Sequence, residues 1–239
     1  MGFIEARSLR KVYLGESVET VALNDIDLSI KRGEFVAVMG PSGSGKSTLL
    51  HILGLLDRYT QGEYWFDGKE ISEYSDNETA RIRNEKMGFV FQAFNLLPRA
   101  SVLENVKLSL LYSSIPESEW EKIASGAIES VGLSHRIHHQ PSQLSGGEKQ
   151  RAAIARALVT NPDVIFADEP TGNLDSKSGQ LVMETIQNLH DTQKRTIILI
   201  THETYTAEFA ERVIHMKDGE IEKDIRIAER HNARKHFHK

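Results

Sequence analysis

The chain has 239 residues, of which 39% are hydrophobic and 26% are charged. This length allows one large domain or two small ones with a sizeable core, and the formal net charge of -5 does not favour nucleic acid as a partner. The absence of cysteine excludes disulfides, thiolate metal sites and cysteine nucleophiles. No apolar stretch approaches the roughly 18 residues that cross a bilayer, and residues 1–5 lack the start of a secretion signal. We therefore expect a cytosolic protein.

The first part of the chain, residues 3–38, carries patterns typical of short strands and turns. Thr20–Leu23 and Ile26–Ile30 alternate between polar and apolar residues, as half-buried strands do. Glu34–Met39 is instead a short apolar run that ends at a glycine. Such a run predicts a buried strand of a parallel sheet.

Strands and helices alternate further along the chain. Ser47–Leu56 predicts a helix, and Gln61–Gly68 predicts a strand ending in a turn. Residues 101–144 have a mostly helical pattern, and two apolar runs at Val164–Ala167 and Thr196–Ile200 predict further buried strands. This order predicts an α/β fold around a parallel sheet, with a helical insert that forms a second lobe.

The segment Gly40–Ser47 fits the phosphate-binding pattern G-x-x-x-x-G-K-[ST]. Its glycines allow a sharp turn from strand to helix while backbone N–H groups converge on phosphate oxygens, and the helix N-terminus adds positive partial charge. Lys46 can reach the β- and γ-phosphates, and the Ser47 hydroxyl can bind Mg²⁺. A glycine-rich turn with a chance lysine is the alternative. The predicted strand before it and helix after it favour the phosphate site.

An acidic pair, Asp168 and Glu169, follows the predicted strand Val164–Ala167. Ligands of open parallel sheets bind at the carboxyl ends of the strands, so Asp168 can complete the Mg²⁺ shell through water. Glu169 is then placed to polarise an attacking water as a general base. The alternative is an acidic cluster at a helix start ahead of Pro170, and the phosphate-binding pattern elsewhere in the chain argues against it.

The segment Leu144–Arg151 places a hydroxyl and two glycines before a strong helix pattern at Ala152–Leu158. A helix N-terminus of this kind is a second anion site. One nucleotide face does not need two phosphate sites, so the segment is predicted to meet a nucleotide held by another subunit. Standing alone, it would indicate an ordinary serine cap followed by a glycine turn. The residues concerned are Leu144, Ser145, Gly146, Gly147 and Glu148.

Together these motifs, in this order and with a histidine after the last core strand, resemble the ATP-binding cassette of ABC transporters. The similarity covers nearly the whole chain up to about residue 222. It implies an α/β P-loop NTPase (ABC ATPase) with a RecA-like parallel-sheet core, an antiparallel β subdomain and an inserted helical subdomain. Residues 1–222 would form a single ABC ATPase domain, with the core and β subdomain at 1–92 and 159–222 and the helical subdomain at about 93–158.

Residues 223–239 are left as a basic tail that we expect to be flexible. Its last ten residues, Arg230–Lys239, are rich in histidine and basic residues. A metal-binding or lipid-contacting role is one interpretation, and a disordered, solvated end is the other.

The resemblance also implies roles for individual residues. Tyr13 resembles the aromatic residue that stacks on adenine, although a strand-packing tyrosine is the alternative. Gln92 resembles the Q-loop glutamine, which contacts Mg²⁺ and the attacking water, and His202 resembles the switch histidine at the γ-phosphate. The D-loop at the dimer interface would be Asn173, Leu174 and Asp175. The ATP-binding residues would be Tyr13, Gly40, Pro41, Ser42, Gly43, Ser44, Gly45, Lys46, Ser47 and Thr48, the Mg²⁺ ligands Ser47, Gln92 and Asp168, and the catalytic residues Glu169, His202 and Gln92.

A finer resemblance, carried by residues 54–58, 88–98 and 167–175, points to the macrolide-exporter, lipoprotein-release and antimicrobial-peptide-resistance branch. It implies a homodimer that closes on ATP and Mg²⁺ and drives a separate membrane permease, with an extracytoplasmic adaptor reached through that permease. The protein would sit on the cytoplasmic face of the membrane and serve export or extraction of a drug, peptide or lipoprotein. A cell-division type ATPase that signals without transport is the alternative. An ABC ATPase of DNA repair or of the ribosome is disfavoured, because no long coiled coil and no second cassette are present.

A short apolar segment follows Gln92 and contains Phe94, Leu96 and Leu97. Apolar residues in an exposed loop mark a contact surface, and by resemblance this one would receive a coupling helix of the permease. The alternative is that the three side chains seal the seam between the two lobes.

Overall fold

The computed structural model describes residues 2–15 and 19–231. Ten strands are formed by these residues: β1 (Ile4–Leu14), β2 (Glu19–Ile30), β3 (Phe35–Met39), β4 (Gln61–Phe66), β5 (Lys69–Glu70), β6 (Met87–Phe91), β7 (Val164–Asp168), β8 (Thr196–Ile200), β9 (Arg212–Lys217) and β10 (Glu220–Arg226). The α-helices are α1 (Lys46–Leu53), α2 (Asp76–Lys86), α3 (Val102–Lys107), α4 (Glu117–Ser130), α5 (Gly146–Leu158), α6 (Ser176–Gln193) and α7 (Thr204–Ala207). None of the helices within these described ranges is long and apolar enough to cross a membrane.

The chain divides into two compact units, and the first comprises residues 1–80 and 194–231. Its antiparallel sheet has the strand order β2-β1-β4-β5. The two short alternating segments predicted at 20–30 are in fact one strand, β2. Register shifts interrupt its pairing with β1 between Ala6 and Leu9, between Leu9 and Lys11, and again after Lys11. β-bulges of this kind break the period-2 pattern without ending the strand, which is why the sequence pattern suggested two strands.

The first unit also contains a parallel set of strands centred on β3. This strand pairs in parallel with β8 and with β9, and all five of its residues are buried. The predicted strand Thr196–Ile200 has the same bounds in the structure as β8. A strand buried on both faces gives a continuous apolar run, which makes it easy to recognise in a sequence.

The predicted tail begins too early. β10 continues to Arg226 and pairs with β9, and Arg212 of β9 forms an ion pair with Asp224 of β10 at 2.5 Å. Residues 223–226 are therefore part of a strand and not of a flexible tail. The prediction was wrong because the exposed, charged residues of an edge strand have the same composition as a tail. Residues 227–231 are also held in place, since the Ile227 N–H donates to the Glu211 carbonyl at 2.9 Å and the His231 N–H donates to the Glu208 carbonyl at 2.8 Å. Residues 232–239, which carry the rest of that prediction, lie outside the described residues.

The second described unit spans residues 81–193. Its strands β6 and β7 pair in parallel, and Phe89 stacks on Phe166 with ring centroids 5.4 Å apart. Helix α5 packs against β6 so closely that a Cβ on Gly88 would lie 2.6 Å from the Ala157 carbonyl oxygen. Residues 93–158, all of which are described, contain helices α3–α5 and no strand, in agreement with a helical insert.

Two helices differ in extent from the sequence prediction. Helix α1 ends at Leu53, and a residue with positive φ, Leu55, follows it, so the predicted end at Leu56 is three residues too far. Helix α5 begins at Gly146 rather than at Ala152, because Ser145 caps it and the two glycines form its first turn. Glycine lowers helix propensity, and the pattern therefore placed the start too late.

Candidate nucleotide site

The loop Gly40–Thr48 follows the carboxyl end of β3 in the first unit and leads into α1. Gly40, Gly43 and Gly45 have φ of +156°, +81° and +94°, in the region that favours glycine. At Gly40 a Cβ would lie 2.2 Å from the Met216 carbonyl oxygen, and at Gly45 it would lie 2.5 Å from that of Ala22. Both positions need glycine, because the backbone has positive φ and because it passes close to a neighbouring carbonyl oxygen.

The loop and the first turn of α1 bring several hydrogen-bond donors close together in the sequence. The first N–H groups of α1 have no intrahelical partner, and the first turn, residues 46–49, contains no acidic side chain. The Lys46 ammonium folds back and donates to the Pro41 carbonyl at 2.8 Å. The buried Ser44 hydroxyl has no hydrogen-bond partner among the described residues. An unsatisfied hydroxyl, an ammonium and free N–H groups fit the oxygens of a triphosphate.

Two other candidate residues belong to the same unit. Val38 of β3 pairs with Ile200 of β8, so the loop from Gly40 and the exposed His202 follow the carboxyl ends of adjacent parallel strands. The Tyr13 side chain is 42% exposed, and its hydroxyl donates to Asp57 Oδ2 at 2.7 Å. Both side chains are therefore at the surface rather than in the core, as a ligand contact requires.

In the second unit, Asp168 and Gln92 come from adjacent parallel strands. Phe91 and Asp168 are register partners at the ends of β6 and β7, and Gln92 follows Phe91 directly. The next residue, Glu169, adopts a left-handed backbone with φ +44°. Non-glycine residues with positive φ are strained and cluster at functional sites. Among the acidic residues that the sequence singled out, Glu169 is the one with a left-handed backbone.

Side chains of the second unit hold the segment after β6 by its backbone. Gln150 Nε2 donates to the Phe91 carbonyl and Asn173 Nδ2 to the Gln92 carbonyl, each at 3.3 Å. The Gln92 side chain in turn donates to Asn173 Oδ1 at 3.3 Å. The predicted Q-loop glutamine is thus hydrogen-bonded on both its backbone and its side chain to the predicted D-loop asparagine.

The following residues, Phe94 and Asn95, both have positive φ, at 60° and 52°. The Arg156 guanidinium donates to both of their carbonyl oxygens, at 2.9 Å for Phe94. Burial lowers the pKa of Arg156, but an arginine remains charged. Sequence reasoning missed Arg156, whose only signal is that it is the basic residue of the last turn of α5.

The candidate docking residues lie beside this anchored backbone. Leu97 is 50% exposed, whereas Phe94 and Leu96 are half-buried. The backbone of Leu97 is fixed on both sides, since the fully buried Asn105 accepts from its N–H at 2.7 Å and donates to its carbonyl at 3.2 Å. A leucine held in place with half its surface exposed is available for a contact.

The signature segment begins helix α5. Ser145 is the N-cap, its hydroxyl accepts from the Glu148 N–H at 3.3 Å, and Glu148 accepts from the Ser145 N–H at 2.8 Å. This backbone hydrogen bond, opposed by partial burial and aided by Arg136 at 2.9 Å, lowers the pKa of Glu148 to about 2. The Glu148 carboxylate is therefore ionised at neutral pH, and the Arg136 guanidinium offsets its charge.

The predicted D-loop has a local structural role as well. Asp175 Oδ1 accepts from the Ser178 N–H at 3.0 Å at the start of α6, and a hydrogen bond from the Ser178 side chain together with this backbone one lowers the pKa of Asp175. The buried Leu174 packs on the signature helix, where a Cβ on Gly146 would lie 3.1 Å from Leu174 Cδ2. The two predicted interface segments are thus in direct contact.

Known proteins resemble the chain along most of its length. A family model described as ABC transporter matches residues 23–172. The macrolide export ATP-binding/permease protein MacB of Chlorobaculum tepidum is 54% identical over 222 residues, covering 92% of this chain and 34% of that protein. The chain thus spans about a third of the length of such relatives. An uncharacterized ABC transporter ATP-binding protein of Thermotoga maritima is 48% identical, with 89% of this chain and 90% of the relative covered.

Among solved structures, the ATP-binding cassette MJ0796 of Methanocaldococcus jannaschii has a TM-score of 0.86 and 42% sequence identity. The match covers 95% of this chain and 99% of that one, which was solved as a dimer in a post-hydrolysis state bound to ADP and Pi. The family model covers more than half of the chain, and full-length cassettes match both in sequence and in fold. The chain therefore belongs to the ABC transporter family, as an ATP-binding cassette ATPase.

Proposed function

We propose that the chain hydrolyses Mg-ATP and that two copies close head to tail on the nucleotide to drive a separate membrane permease. The observation that carries the nucleotide part is the loop Gly40–Thr48, with its three glycines at positive φ and its buried Ser44 hydroxyl that has no partner among the described residues. Such a loop is complementary to phosphate oxygens.

In the proposed reaction each residue has a distinct task. Lys46 and the loop N–H groups neutralise charge that develops on the phosphates, and Tyr13 stacks on the base. Glu169 accepts the proton of the attacking water, and Gln92 and His202 orient the water and the γ-phosphate. Ser47, Asp168 and Gln92 offer hard oxygen donors, which fit Mg²⁺ shared with substrate phosphates. When bound, Mg²⁺ supplies charge neutralisation and orientation of the phosphates.

The dimer proposal rests on the second helix N-terminus. Ser145 is exposed and caps α5, and the helix begins with two glycines. The dimeric cassette MJ0796 supports this proposal, because its structure bound to ADP and Pi matches the chain along nearly its full length. We infer that this N-terminus meets the γ-phosphate of ATP held by a second copy.

Ser145→Asp tests the proposed dimer because it keeps the helix cap and changes only the charge at the helix N-terminus. Aspartate caps a helix as well as serine does, so the fold should persist, whereas the added carboxylate repels a γ-phosphate. We expect the isolated chain to bind ATP normally and to lose both ATPase activity and the doubling of its 26.9 kDa mass in light scattering with a slowly hydrolysed ATP analogue.

A matched control exists in the same unit. Ser101 caps α3 with the same capping box to Glu104, so Ser101→Asp makes the same chemical change away from the signature. It should leave the mass change and the ATPase activity intact. Normal dimerisation of Ser145→Asp would rule out the head-to-tail arrangement.

We further propose that the partner is an integral-membrane permease and that the chain acts at the cytoplasmic face of the membrane. Relatives named as macrolide export proteins carry ATP-binding and permease functions in one chain, of which this chain matches about a third. This likeness favours export or extraction of a drug, peptide or lipoprotein. The half-exposed Leu97, fixed by Asn105, is the proposed anchor for a permease helix, with Phe94 and Leu96 beside it.

Leu97→Glu tests this docking surface. Because Leu97 is half exposed, the change should leave the melting temperature and the basal ATPase activity close to those of the wild type. Permease co-purification and permease-stimulated ATPase activity should fall at least about tenfold, as expected when an apolar anchor is replaced by a charge.

The control is Leu111→Glu, since Leu111 is 55% exposed in the same unit and lies outside the loop that carries Leu97. It should retain full stimulation. Unfolding of Leu97→Glu would favour the alternative in which these side chains seal a seam, and normal stimulation would show that the permease docks elsewhere.

A further inference from the structure

The turn after α1 places a carboxylate against the candidate base-stacking residue. Helix α1 begins in the phosphate-binding loop, and its last turn continues into Leu55 with φ +56° and then Asp57. The N–H groups of Leu56 and Asp57 both donate to the His51 carbonyl, at 2.7 and 3.2 Å. The position of Asp57 is therefore fixed by the helix that also forms the phosphate site.

Both carboxylate oxygens of Asp57 are used by strand β1. Oδ1 accepts from the Lys11 ammonium at 2.8 Å, and Oδ2 accepts from the Tyr13 hydroxyl at 2.7 Å. Oδ1 also accepts from the Arg58 N–H at 2.7 Å. Burial acts against the ionised form, but these hydrogen bonds prevail and hold the pKa of Asp57 below its usual range. The carboxylate is thus charged at neutral pH, and both of its oxygens accept hydrogen bonds.

Lys11 links the carboxylate to the tyrosine ring. Its ammonium lies 4.6 Å from the ring centroid of Tyr13 and also donates to the Arg58 carbonyl at 2.6 Å. Lys11 is only 9% exposed, which is unusual for a lysine. A buried ammonium needs a partner, and Asp57 supplies it. Lys11 occupies one face of the ring, so a base can stack only on the opposite face.

The same turn also forms hydrogen bonds to the neighbouring backbone of β1. The Thr60 N–H donates to the Arg10 carbonyl at 2.8 Å, and the Val12 N–H donates to the Thr60 hydroxyl at 3.0 Å. These two contacts involve the residues immediately before and after Lys11. The segment that carries Tyr13 is therefore tied at three successive residues to the turn after α1, even though its own sheet pairing is interrupted there.

We propose that Asp57 is a positioning residue of the nucleotide site, which holds Tyr13 through its hydroxyl and through Lys11 so that one face of the ring is presented to adenine at a fixed distance from the phosphate loop. This inference rests on the proposed function and refines it. Asp57 touches no nucleotide atom itself. It acts through Tyr13, so its effect should appear in binding of the base and not in the chemical step.

The test compares two probes, ATP and inorganic tripolyphosphate, each with Mg²⁺, in binding titrations. Asp57→Asn keeps the shape of the side chain and removes the charge that anchors Lys11. We expect its dissociation constant for ATP to rise about tenfold, part of the cost of losing a base–aromatic stack. The constant for tripolyphosphate, which has no base, should stay within about twofold of the wild type, and so should kcat at saturating ATP.

Two further variants separate positioning from a structural effect. In a Tyr13→Ala background, Asp57→Asn should add no further loss of ATP affinity, because its action passes through the ring. Tyr13→Phe removes only the hydroxyl contact and should raise the ATP constant about threefold without affecting tripolyphosphate; it serves as the test if Asp57→Asn fails to fold. The matched control is Asp76→Asn, whose carboxylate is exposed and pairs with Arg58 at the surface; it should change neither constant.

Equal weakening of ATP and tripolyphosphate by Asp57→Asn would overturn the proposal, because Asp57 would then support the phosphate loop as a whole. Unchanged ATP affinity, or additive losses in the double variant, would overturn it as well. Binding of the two probes to a Lys46→Ala variant distinguishes failure of the inference about Asp57 from failure of the proposed nucleotide site. If Lys46→Ala weakens both probes and Asp57→Asn weakens neither, only the base-site inference fails. If Lys46→Ala leaves both probes bound as in the wild type, the proposed nucleotide site fails and the inference fails with it.

Discussion

Replacement of Glu169 by glutamine should abolish most turnover while ATP binding is retained. Glutamine keeps the size of the side chain but cannot accept a proton, and loss of a general base typically slows a reaction by about 10²–10⁴-fold. Because the nucleotide would still bring two copies together and would not be consumed, the variant should accumulate as an ATP-bound dimer. The measurements are the steady-state ATPase rate and the mass by light scattering with and without Mg-ATP.

The control for this change is Glu129→Gln on helix α4, an exposed glutamate of the same unit. It should hydrolyse ATP at the wild-type rate and show no trapped dimer. Near-normal turnover of Glu169→Gln would contradict the assignment of Glu169 as the base. Loss of turnover without a stable dimer would instead contradict the proposal that hydrolysis reopens the two copies.

Lys46→Ala should lose hydrolysis and nearly all nucleotide-dependent dimerisation. Lys46 is a buried ammonium in the phosphate loop, and its hydrogen bond in the structure goes to the Pro41 carbonyl. Removal of one preorganised charge at the reacting group typically costs about 10²–10³-fold in rate. The turn depends on its glycines rather than on Lys46, so the melting temperature should change little.

Lys223→Ala is the matched control, since Lys223 is an exposed lysine on β10 in the same unit. It should retain hydrolysis and dimerisation. ATPase activity, ATP titration and melting curves on both variants check the prediction. A Lys46→Ala protein that melts like the wild type and still hydrolyses ATP would contradict the proposed phosphate site.

The sequence predicted those features that are carried by contiguous residues. The buried strand Thr196–Ile200 was placed correctly because a continuous apolar run has a single structural meaning, and the glycine-rich turn between β3 and α1 also lies where the sequence predicted it. The bulged strand β2 was split in two because its irregular pairing breaks the period-2 signal. The end of β10 was missed because a charged edge strand and a charged tail have the same composition.

Parts of the candidate site could not be found in this way because they depend on contacts between distant residues. Lys11 and Asp57 are 46 positions apart, and Arg156 reaches a carbonyl 62 positions earlier in the chain. No pattern in the sequence assigned a role to any of these three residues, although Asp57 lies in the segment 54–58 that carries part of the finer resemblance. An isolated charged side chain usually indicates a solvated surface, and only the folded chain reveals that these are held by specific acceptors.

The left-handed backbone of Glu169 has a consequence for engineering the protein. A glutamate at φ +44° holds conformational energy that glycine or asparagine would release. Substitutions selected for heat resistance alone would therefore favour this position, because a left-handed backbone costs an ordinary L residue roughly 1–2 kcal/mol, and each would remove the carboxylate that the proposed chemistry requires. Stability and turnover are in direct conflict at this one residue. A thermostable cassette is better obtained from changes elsewhere, with residue 169 held fixed throughout the selection.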